Sequence, residues 1–237
     1  MIDFHTHILP EVDDGSSSVE ESIEMIRSEV DHGVDTIFLT PHFCALNQYP
    51  EQFLARRTHA KELLDEALAK ESTTPKLILG AEILYCRGMS KWDELPQLAI
   101  GDTGYILIEM QGSKFPETVF NELAFIYSQR KLVPIIAHIE RCFRPFYTRK
   151  LLERLEKMPV LLQMNGSYII DQHTRKHAIR LLKERKVHLI GSDCHSSTWR
   201  KPAMDQVNRI LNDSLDESTL QYLSYIGQKV VSGENVF

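Results

Sequence analysis

The sequence predicts an α/β fold in which about seven parallel strands alternate with helices and close into a barrel. Short apolar, β-branched runs recur along the whole chain with amphipathic stretches between most of them. Strands separated by helices pair in parallel through right-handed crossovers. A doubly wound sheet would satisfy the same alternation. The barrel is favoured because polar residues follow nearly every predicted strand, and a parallel barrel brings all those strand ends to one face.

The predicted elements follow in order along the chain. Strands are expected at residues 2–4, 36–39, 76–79, 105–108, 133–137, 160–163 and 187–190. The first helix has an N-terminal signal, because Ser17 and Ser18 each precede a glutamate by three residues, and it should end near His32. Further helices are expected at residues 50–70, 117–129, 149–157, 175–185 and 203–212, with one or two more up to about residue 231.

Length and composition indicate one globular domain over residues 1–237. The chain is 43% hydrophobic and 25% charged, and no apolar run is long enough to cross a membrane. The N-terminus lacks the features of a secretory signal, and the four cysteines form no C-x-x-C pair, so a cytoplasmic protein with free thiols is expected. A net charge of -6 argues against nucleic acid as a partner.

Histidines and carboxylates at six strand ends form a candidate metal centre. His5 and His7, like Asp193 and His195, are two residues apart, so in extended backbone their side chains share a face. Buried like-charged carboxylates without a cation are strongly unfavourable. The set contains more ligands than one ion can use and suits Mn²⁺, Fe²⁺ or Zn²⁺. The candidate ligands are His5, His7, Asp14, His42, Glu82, Glu109, His138, Asp193 and His195.

Two other motifs have plainer interpretations. Cys194 and Arg200 have the C-x₅-R spacing of cysteine-based phosphatases, but no glycine lies between them to form a phosphate-binding loop. Cys194 also lies between two candidate metal ligands, which favours coincidence. His173 and His177 are four apart on a predicted helix without the glutamate of a zincin motif, so a solvated helix face is expected.

The motifs together resemble the PHP (polymerase and histidinol phosphatase) superfamily. They are MIDFHTHILP at the N-terminus, Asp13-Asp14-Gly15, Thr40-Pro41-His42, the YILIE segment ending at Glu109, AHIER over residues 137–141, and SDCH over residues 192–195. Within that superfamily the chain is similar to the bacterial manganese-dependent tyrosine-protein phosphatases of capsule and exopolysaccharide operons. The resemblance implies a distorted seven-stranded (β/α)7 barrel with a trinuclear metal site. Ile139 and Cys194 depart from the family pattern, but neither change removes a ligand.

The resemblance also implies how the metals are held. His5, His7, Glu82 and Asp193 would hold the first ion, and Glu82, Glu109 and His138 the second. Asp14, His42 and His195 would hold the third. Three divalent ions, Mn²⁺ or else Fe or Zn, are therefore expected, with Glu82 as a bridge between the first two.

The predicted reaction is hydrolysis of a phosphate monoester. A hydroxide between two cations forms near neutral pH and attacks phosphorus, and Arg141 and Arg200 are expected to bind the phosphate. A phenol leaves more easily than an alcohol because its pKa is near 10. The resemblance implies a phosphotyrosine protein as substrate, specifically a bacterial tyrosine kinase. A small-molecule phosphatase of the same fold, such as histidinol-phosphatase, remains an alternative.

Overall fold

The computed structural model describes residues 1–112 and 115–237, and in these ranges nine short strands alternate with eight α-helices. The strands are β1 Ile2–Thr6, β2 Thr36–Leu39, β3 His42–Phe43, β4 Lys76–Leu79, β5 Glu82–Leu84, β6 Tyr105–Glu109, β7 Val133–Ile136, β8 Leu161–Asn165 and β9 Leu189–Gly191. The helices are α1 Val19–Asp31, α2 Pro50–Leu68, α3 Glu117–Arg130, α4 Thr148–Leu155, α5 Gly166–Ile170, α6 Arg175–Lys183, α7 Met204–Ser214 and α8 Glu217–Ser232.

The strands form two parallel sheets that curl around a common interior. One has the order β1-β2-β4, and the other, of six strands, has the order β3-β5-β6-β7-β8-β9. Hydrogen bonds from Asp193 N to His5 O (2.8 Å) and from His7 N to Cys194 O (2.9 Å) join the first strand to the segment after the last. The α/β class and the parallel pairing are confirmed, whereas the predicted count of seven strands is not.

Two of the predicted strands are each followed directly by a second short segment. Thr40 and Pro41 separate β2 from β3, and Gly80 and Ala81 separate β4 from β5. Proline has no N–H to give to a ladder, which explains the first break. At the second, a Cβ on Gly80 would lie 3.1 Å from Ile100 Cγ1, so a larger residue there would require the Ile100 side chain to shift. The extra segments begin at predicted ligands, His42 and Glu82.

The core follows from the alternation of side chains along buried strands. In β6, Ile106 and Ile108 belong to one apolar cluster, while Tyr105 and Leu107 belong to a second one that includes Ile226 of α8. Strands buried on both faces therefore read as continuous apolar runs, as parallel sheets require.

The helices match their predicted positions to within a few residues at each end, and α5 is an additional short helix. The N-terminal signal of α1 is confirmed with one refinement. Ser18 is the N-cap and its side chain accepts the N–H of Glu21 (3.2 Å), whereas the Glu21 carboxylate accepts the N–H and the hydroxyl of Ser17. None of the described helices combines the length and apolar character needed to span a bilayer.

Candidate metal centre

Most of the nine predicted ligands lie at or shortly after the C-terminal ends of strands, and His42 and Glu82 begin the short segments β3 and β5 that follow β2 and β4. Their ligand atoms form three overlapping groups, within each of which every atom lies within 4.8 Å of the others. The groups are His7, Asp14, His42 and His195; His5, His7 and Asp193; and His42, Glu82 and Glu109. His138 joins them through Glu82, as described next.

The carboxylate of Glu82 is at the centre of this arrangement. Its Oε2 atom lies 2.9 Å from His42 Nδ1, 3.1 Å from His5 Nε2 and 3.3 Å from His7 Nε2. Its Oε1 atom lies 2.7 Å from His138 Nε2. The side chain is 0% exposed. One fully buried carboxylate therefore contacts four imidazole rings that come from three different strand ends.

The Nδ1 atoms of His5 and His7 face away from Glu82 and each donates a hydrogen bond to an acceptor. The acceptors therefore determine that, in neutral rings, the inward-facing Nε2 atoms carry no proton. His7 Nδ1 donates to the Asp13 carboxylate (2.6 Å). His5 Nδ1 donates to Gln163 Oε1 (3.3 Å), an atom that also accepts the His138 backbone N–H. The inner Nε2 atoms of His5 and His7 lie only 3.1 Å apart. In neutral rings both therefore direct lone pairs at the same point, as metal-binding histidines do.

This donor set fits a divalent cation. Two imidazole lone pairs and carboxylate oxygens converge in a space closed to solvent, and Glu82 Oε2 has no hydrogen-bond partner of acceptable geometry. Like-signed acceptors brought this close repel one another unless protons or a cation lie among them. Imidazole and carboxylate without thiolate are the ligands of Mn²⁺, Fe²⁺ and Zn²⁺ sites.

The titration of the central groups reflects the same crowding. Burial by itself would raise the pKa of Glu82, but the charge of His5, the hydrogen bond of His138 and the close contact of His42 hold it well below its usual value. Burial also opposes protonation of His7, yet the hydrogen bond to Asp13 and the close contacts with Asp193 and Glu82 bring its pKa well above the ordinary value. Without a bound cation, protons on the imidazoles would be needed to offset the carboxylates.

Asp193 connects the histidines to the predicted phosphate-binding arginines. Its Oδ1 atom lies 3.4 Å from His7 Nε2 and 3.8 Å from His5 Nε2. Its Oδ2 atom lies 2.5 Å from Arg141 Nη2 and 2.6 Å from Arg200 Nη2. The two guanidinium groups therefore converge on one carboxylate oxygen at the edge of the site.

Asp14 and Glu109 lie nearer the surface than the other predicted ligands of the buried cluster. Asp14 is 68% exposed in its side chain, and its Oδ1 atom lies 3.5 Å from His42 Nε2 and 3.6 Å from His195 Nε2. Glu109 Oε1 lies 3.4 Å from His138 Nε2 and 3.5 Å from Arg141 Nη1. The site therefore opens to solvent on the side of Asp14.

A cavity of about 350 Å³ adjoins Asp193 and is lined by Arg141, Arg200 and Trp199. Trp199 is mostly exposed, and its ring centroid lies 6.1 Å from that of His195. A larger cavity of about 780 Å³, lined by residues of α4 and α6, contains none of the predicted site residues. The smaller cavity is the one placed to receive a substrate at the arginines.

Backbone geometry corrects one part of the sequence argument. Asp193 and His195 both reach the site, but not from an extended strand, because β9 ends at Gly191 and Asp193 has φ +55°. His138 also has a positive φ, +29°. Strained backbone of this kind is concentrated at functional sites, and here it turns two predicted ligands inward directly after their strands.

Several supporting residues were not predicted from the sequence. Asp13 accepts the His7 ring N–H and the His42 backbone N–H (2.8 Å). Gln163 Nε2 donates to Asn165 Oδ1 (3.0 Å), and Asn165 Nδ2 donates to Asp193 Oδ2 (2.7 Å). Gln163 and Asn165 come from β8, whose sequence offered no titratable side chain. Their spacing of two residues at a strand end was the available signal.

The cysteine-phosphatase alternative finds no support in the geometry. Cys194 is 1% exposed, and burial together with the nearby Glu29 and Asp3 carboxyls raises the pKa of its thiol well above the ordinary value. A nucleophilic cysteine needs the opposite shift. Arg200 turns to Asp193. His177, of the predicted helix pair, bonds Tyr168 through its Nδ1 (2.9 Å).

Comparison with known proteins gives a consistent result. The family profile described as capsular polysaccharide synthesis, CpsB/CapC, matches residues 1–231. The tyrosine-protein phosphatase YwqE of Bacillus subtilis is 28% identical over 241 residues, covering 100% of this chain and 94% of that protein. The tyrosine-protein phosphatase CpsB of Streptococcus pneumoniae is 30% identical over 226 residues, covering 89% of each protein.

A solved structure is similar over the same extent. It comes from a crystallographic study of YwqE from Bacillus subtilis and CpsB from Streptococcus pneumoniae, described there as unique metal-dependent tyrosine phosphatases. It superimposes with a TM-score of 0.85 at 26% identity, covering 100% of this chain and 96% of that one.

Proposed function

The chain belongs to the CpsB/CapC capsular polysaccharide synthesis family, and we propose that it is a metal-dependent protein-tyrosine phosphatase. The observation that carries the proposal is the pairing of two features at one site. Four imidazoles surround the buried Glu82 carboxylate, and beside them two guanidinium groups converge on Asp193. The first feature suits divalent cations and the second suits a phosphate dianion.

We propose three divalent ions, in this chain Mn²⁺ with Fe or Zn as substitutes. His5, His7, Glu82 and Asp193 would hold the first ion, Glu82, Glu109 and His138 the second, and Asp14, His42 and His195 the third. The grouping of ligand atoms supports this division with two overlaps, because His7 and His42 each fall in two groups. When bound, the ions supply positive charge to the transferring phosphoryl group and water of lowered pKa as the nucleophile.

The chain's own contribution to the reaction is positioning and charge. Arg141 and Arg200 bind the equatorial oxygens of the phosphate, which carry the charge that develops during phosphoryl transfer. Their planar donor forks match such oxygens. A tyrosine leaving group departs as a phenol of pKa near 10, so it depends less on a general acid than an alcohol does.

The substrate is a phosphotyrosine protein, specifically a bacterial tyrosine kinase that regulates capsule or exopolysaccharide synthesis. The names of the relatives and of the family support a phosphotyrosine substrate and the capsule context, whereas the kinase itself follows only from the resemblance described above. We place the protein in the cytoplasm, without nucleic acid as a partner and without insertion into a membrane.

We further propose that residues 1–237 form one domain with a seven-stranded barrel. The strand count becomes seven if β2 with β3, and β4 with β5, are each taken as one interrupted strand. Each pair is separated by only two residues, and the register between His42 and Glu82 continues that between β2 and β4.

The test is a direct comparison of substrates. Phosphotyrosine peptide, phosphoserine peptide and histidinol phosphate are assayed side by side with added Mn²⁺, with and without a chelator. We expect hydrolysis of the phosphotyrosine peptide above the other two, and its loss with chelator. Preferred hydrolysis of histidinol phosphate would instead support the small-molecule phosphatase, and chelator-resistant activity would remove the metal from the mechanism.

A further inference from the structure

Trp199 is a large apolar side chain that lies exposed beside the metal centre and takes no part in the mechanism above. The residue is 65% exposed, although tryptophan is highly buried on average in folded proteins. Its ring centroid lies 6.1 Å from that of His195 and 5.8 Å from the guanidinium carbon of Arg200. The indole is therefore next to a side chain that is proposed to bind phosphate.

The loop that carries this indole is held at its ends and from helix α1. The His195 N–H donates to the Arg200 carbonyl (2.9 Å), which closes the loop. The Glu21 carboxylate in α1 accepts the Ser196 hydroxyl (2.8 Å) and the Ser197 N–H (3.1 Å). A side chain presented by a loop that is already ordered loses less conformational freedom when a ligand binds.

The cavity of about 350 Å³ beside Trp199 combines charged and apolar lining. Besides the two arginines at Asp193, it is lined by Ile170 of α5 and by Met204 and Val207 of α7. These three side chains belong to, or pack against, one apolar cluster. Sites for small ligands have volumes of about 300–1,000 Å³ and combine apolar walls with a few polar groups that fix orientation. A phosphate attached to an aromatic ring fits this combination.

We propose that Trp199 is a specificity-determining residue: its indole packs against the phenyl ring of phosphotyrosine while Arg141 and Arg200 bind the phosphate. A phenyl ring is joined to its phosphate through one oxygen, so it must lie close to Arg200 when the phosphate is bound there. Trp199 is the one aromatic side chain in the described lining of the cavity. The inference rests on the proposed function and deepens it, because it names what at the same site distinguishes an aryl from an alkyl phosphate.

The test separates binding of the ring from binding of the charged group. Phenylphosphonate and methylphosphonate carry the same phosphonate, differ in the ring, and have no leaving group. Their dissociation constants are measured by calorimetry on the Mn²⁺-loaded, full-length protein at a pH where both are dianions. Wild-type protein should bind phenylphosphonate at least about tenfold more tightly, because the apolar area of the ring leaves water.

Two substitutions of Trp199 are compared with a matched control. Trp199→Ala should lower the preference for phenylphosphonate by about two- to tenfold and leave the affinity for methylphosphonate unchanged. Trp199→Phe, which keeps an aromatic ring, should retain the preference to within about twofold. The control is Tyr225→Ala, because Tyr225 is also an exposed aromatic residue beside a cation (5.6 Å from Lys229 Nζ) but belongs to α8. It should leave both dissociation constants unchanged.

The inference is overturned if Trp199→Ala keeps the wild-type preference, or if it weakens the binding of both phosphonates equally. Should Trp199→Ala fail to fold, tryptophan emission of the Trp92→Phe variant decides, because Trp199 is then the remaining tryptophan. Saturating phenylphosphonate should change that emission more than saturating methylphosphonate does, and equal changes would overturn the inference.

None of these measurements requires turnover, so the inference and the proposed function fail separately. Wild-type protein that prefers phenylphosphonate but leaves a phosphotyrosine peptide intact would overturn the proposed function alone. Wild-type protein that hydrolyses the peptide without preferring phenylphosphonate would overturn the role of Trp199 alone.

Discussion

Replacing Glu82 by glutamine tests the metal centre most directly. The substitution keeps the shape of the side chain but removes one charge and turns one of two acceptors into a donor. It does so amid four imidazole nitrogens at 2.7, 2.9, 3.1 and 3.3 Å. Removing one partner of a buried ion pair costs about 3–5 kcal/mol. We expect a loss of that size in the unfolding free energy of chelated protein near pH 6, where His5 and His7, whose pKa values are raised, retain protons.

The effect of the same substitution on catalysis should be larger. Metal ions contribute several kcal/mol of charge stabilisation in the transition state, and about 4 kcal/mol corresponds to about a thousandfold in rate. We therefore expect kcat/KM for a phosphotyrosine peptide to fall by at least about a thousandfold and bound Mn²⁺, measured by elemental analysis, to decrease.

Glu122→Gln provides the control for Glu82→Gln, because Glu122 is a half-buried carboxylate that accepts the Gly88 backbone N–H (2.8 Å) and forms no hydrogen bond or ion pair with the predicted ligands in the described ranges. It should retain both activity and metal. Metal-dependent turnover of Glu82→Gln within about tenfold of wild type would refute the assignment of Glu82 as the bridge between the ions.

Three further predictions follow from the site and its surroundings. Arg141→Ala and Arg200→Ala should each lower kcat/KM by about 10²–10³ with Mn²⁺ content intact, whereas Lys201→Ala, in the same cavity, should not; equal turnover would remove the arginines from phosphate binding. Cys194→Ala should stay active and remain sensitive to chelator. A folded, metal-loaded Cys194→Ala variant without activity would instead support a cysteine nucleophile. The pKa of His188 is lowered to about 4 because burial disfavours its charged form, and its Nδ1 accepts a backbone N–H. Between about pH 6.5 and 4 the unfolded chain therefore binds more protons than the folded protein does. The unfolding free energy should fall by up to about 3 kcal/mol as the pH is lowered through that window. His188→Asn keeps a hydrogen-bond acceptor and should reduce the pH dependence of the unfolding free energy measured in denaturant titrations. An unchanged pH dependence would contradict the assignment of this effect to His188.

The sequence was most informative where rare residue types coincided with strand ends. His5 and His7 could be predicted as neighbours in space because alternation in a strand is fixed by backbone geometry. Gln163 and Asn165 could not, because neutral amides are common in proteins and carry no titratable group. Their importance depends on β8 lying between β7 and β9, a tertiary fact that local pattern does not contain.

Glu29 shows a second limit, where a signal was present but ambiguous. It lies three residues after Ile26 and four after Met25, both of which are buried, so helical spacing places it on the buried face of α1. A glutamate there is unusual enough to require a partner. Asp3, whose charge acts on Glu29, is 26 residues away in sequence and belongs to a strand, so helical spacing alone could not indicate which group Glu29 faces.

The arrangement of the two arginines suits the phosphate-binding role proposed for them. Long guanidinium side chains lose considerable conformational freedom when they are ordered around a ligand. Here both already converge on Asp193 Oδ2, which Asn165 also holds (2.7 Å). A phosphate oxygen arriving beside Asp193 therefore meets donors that need only small displacements, so more of the binding energy remains available for the transition state. The same carboxylate faces His5 and His7 through its other oxygen, which couples the position of the arginines to that of the proposed metal ligands.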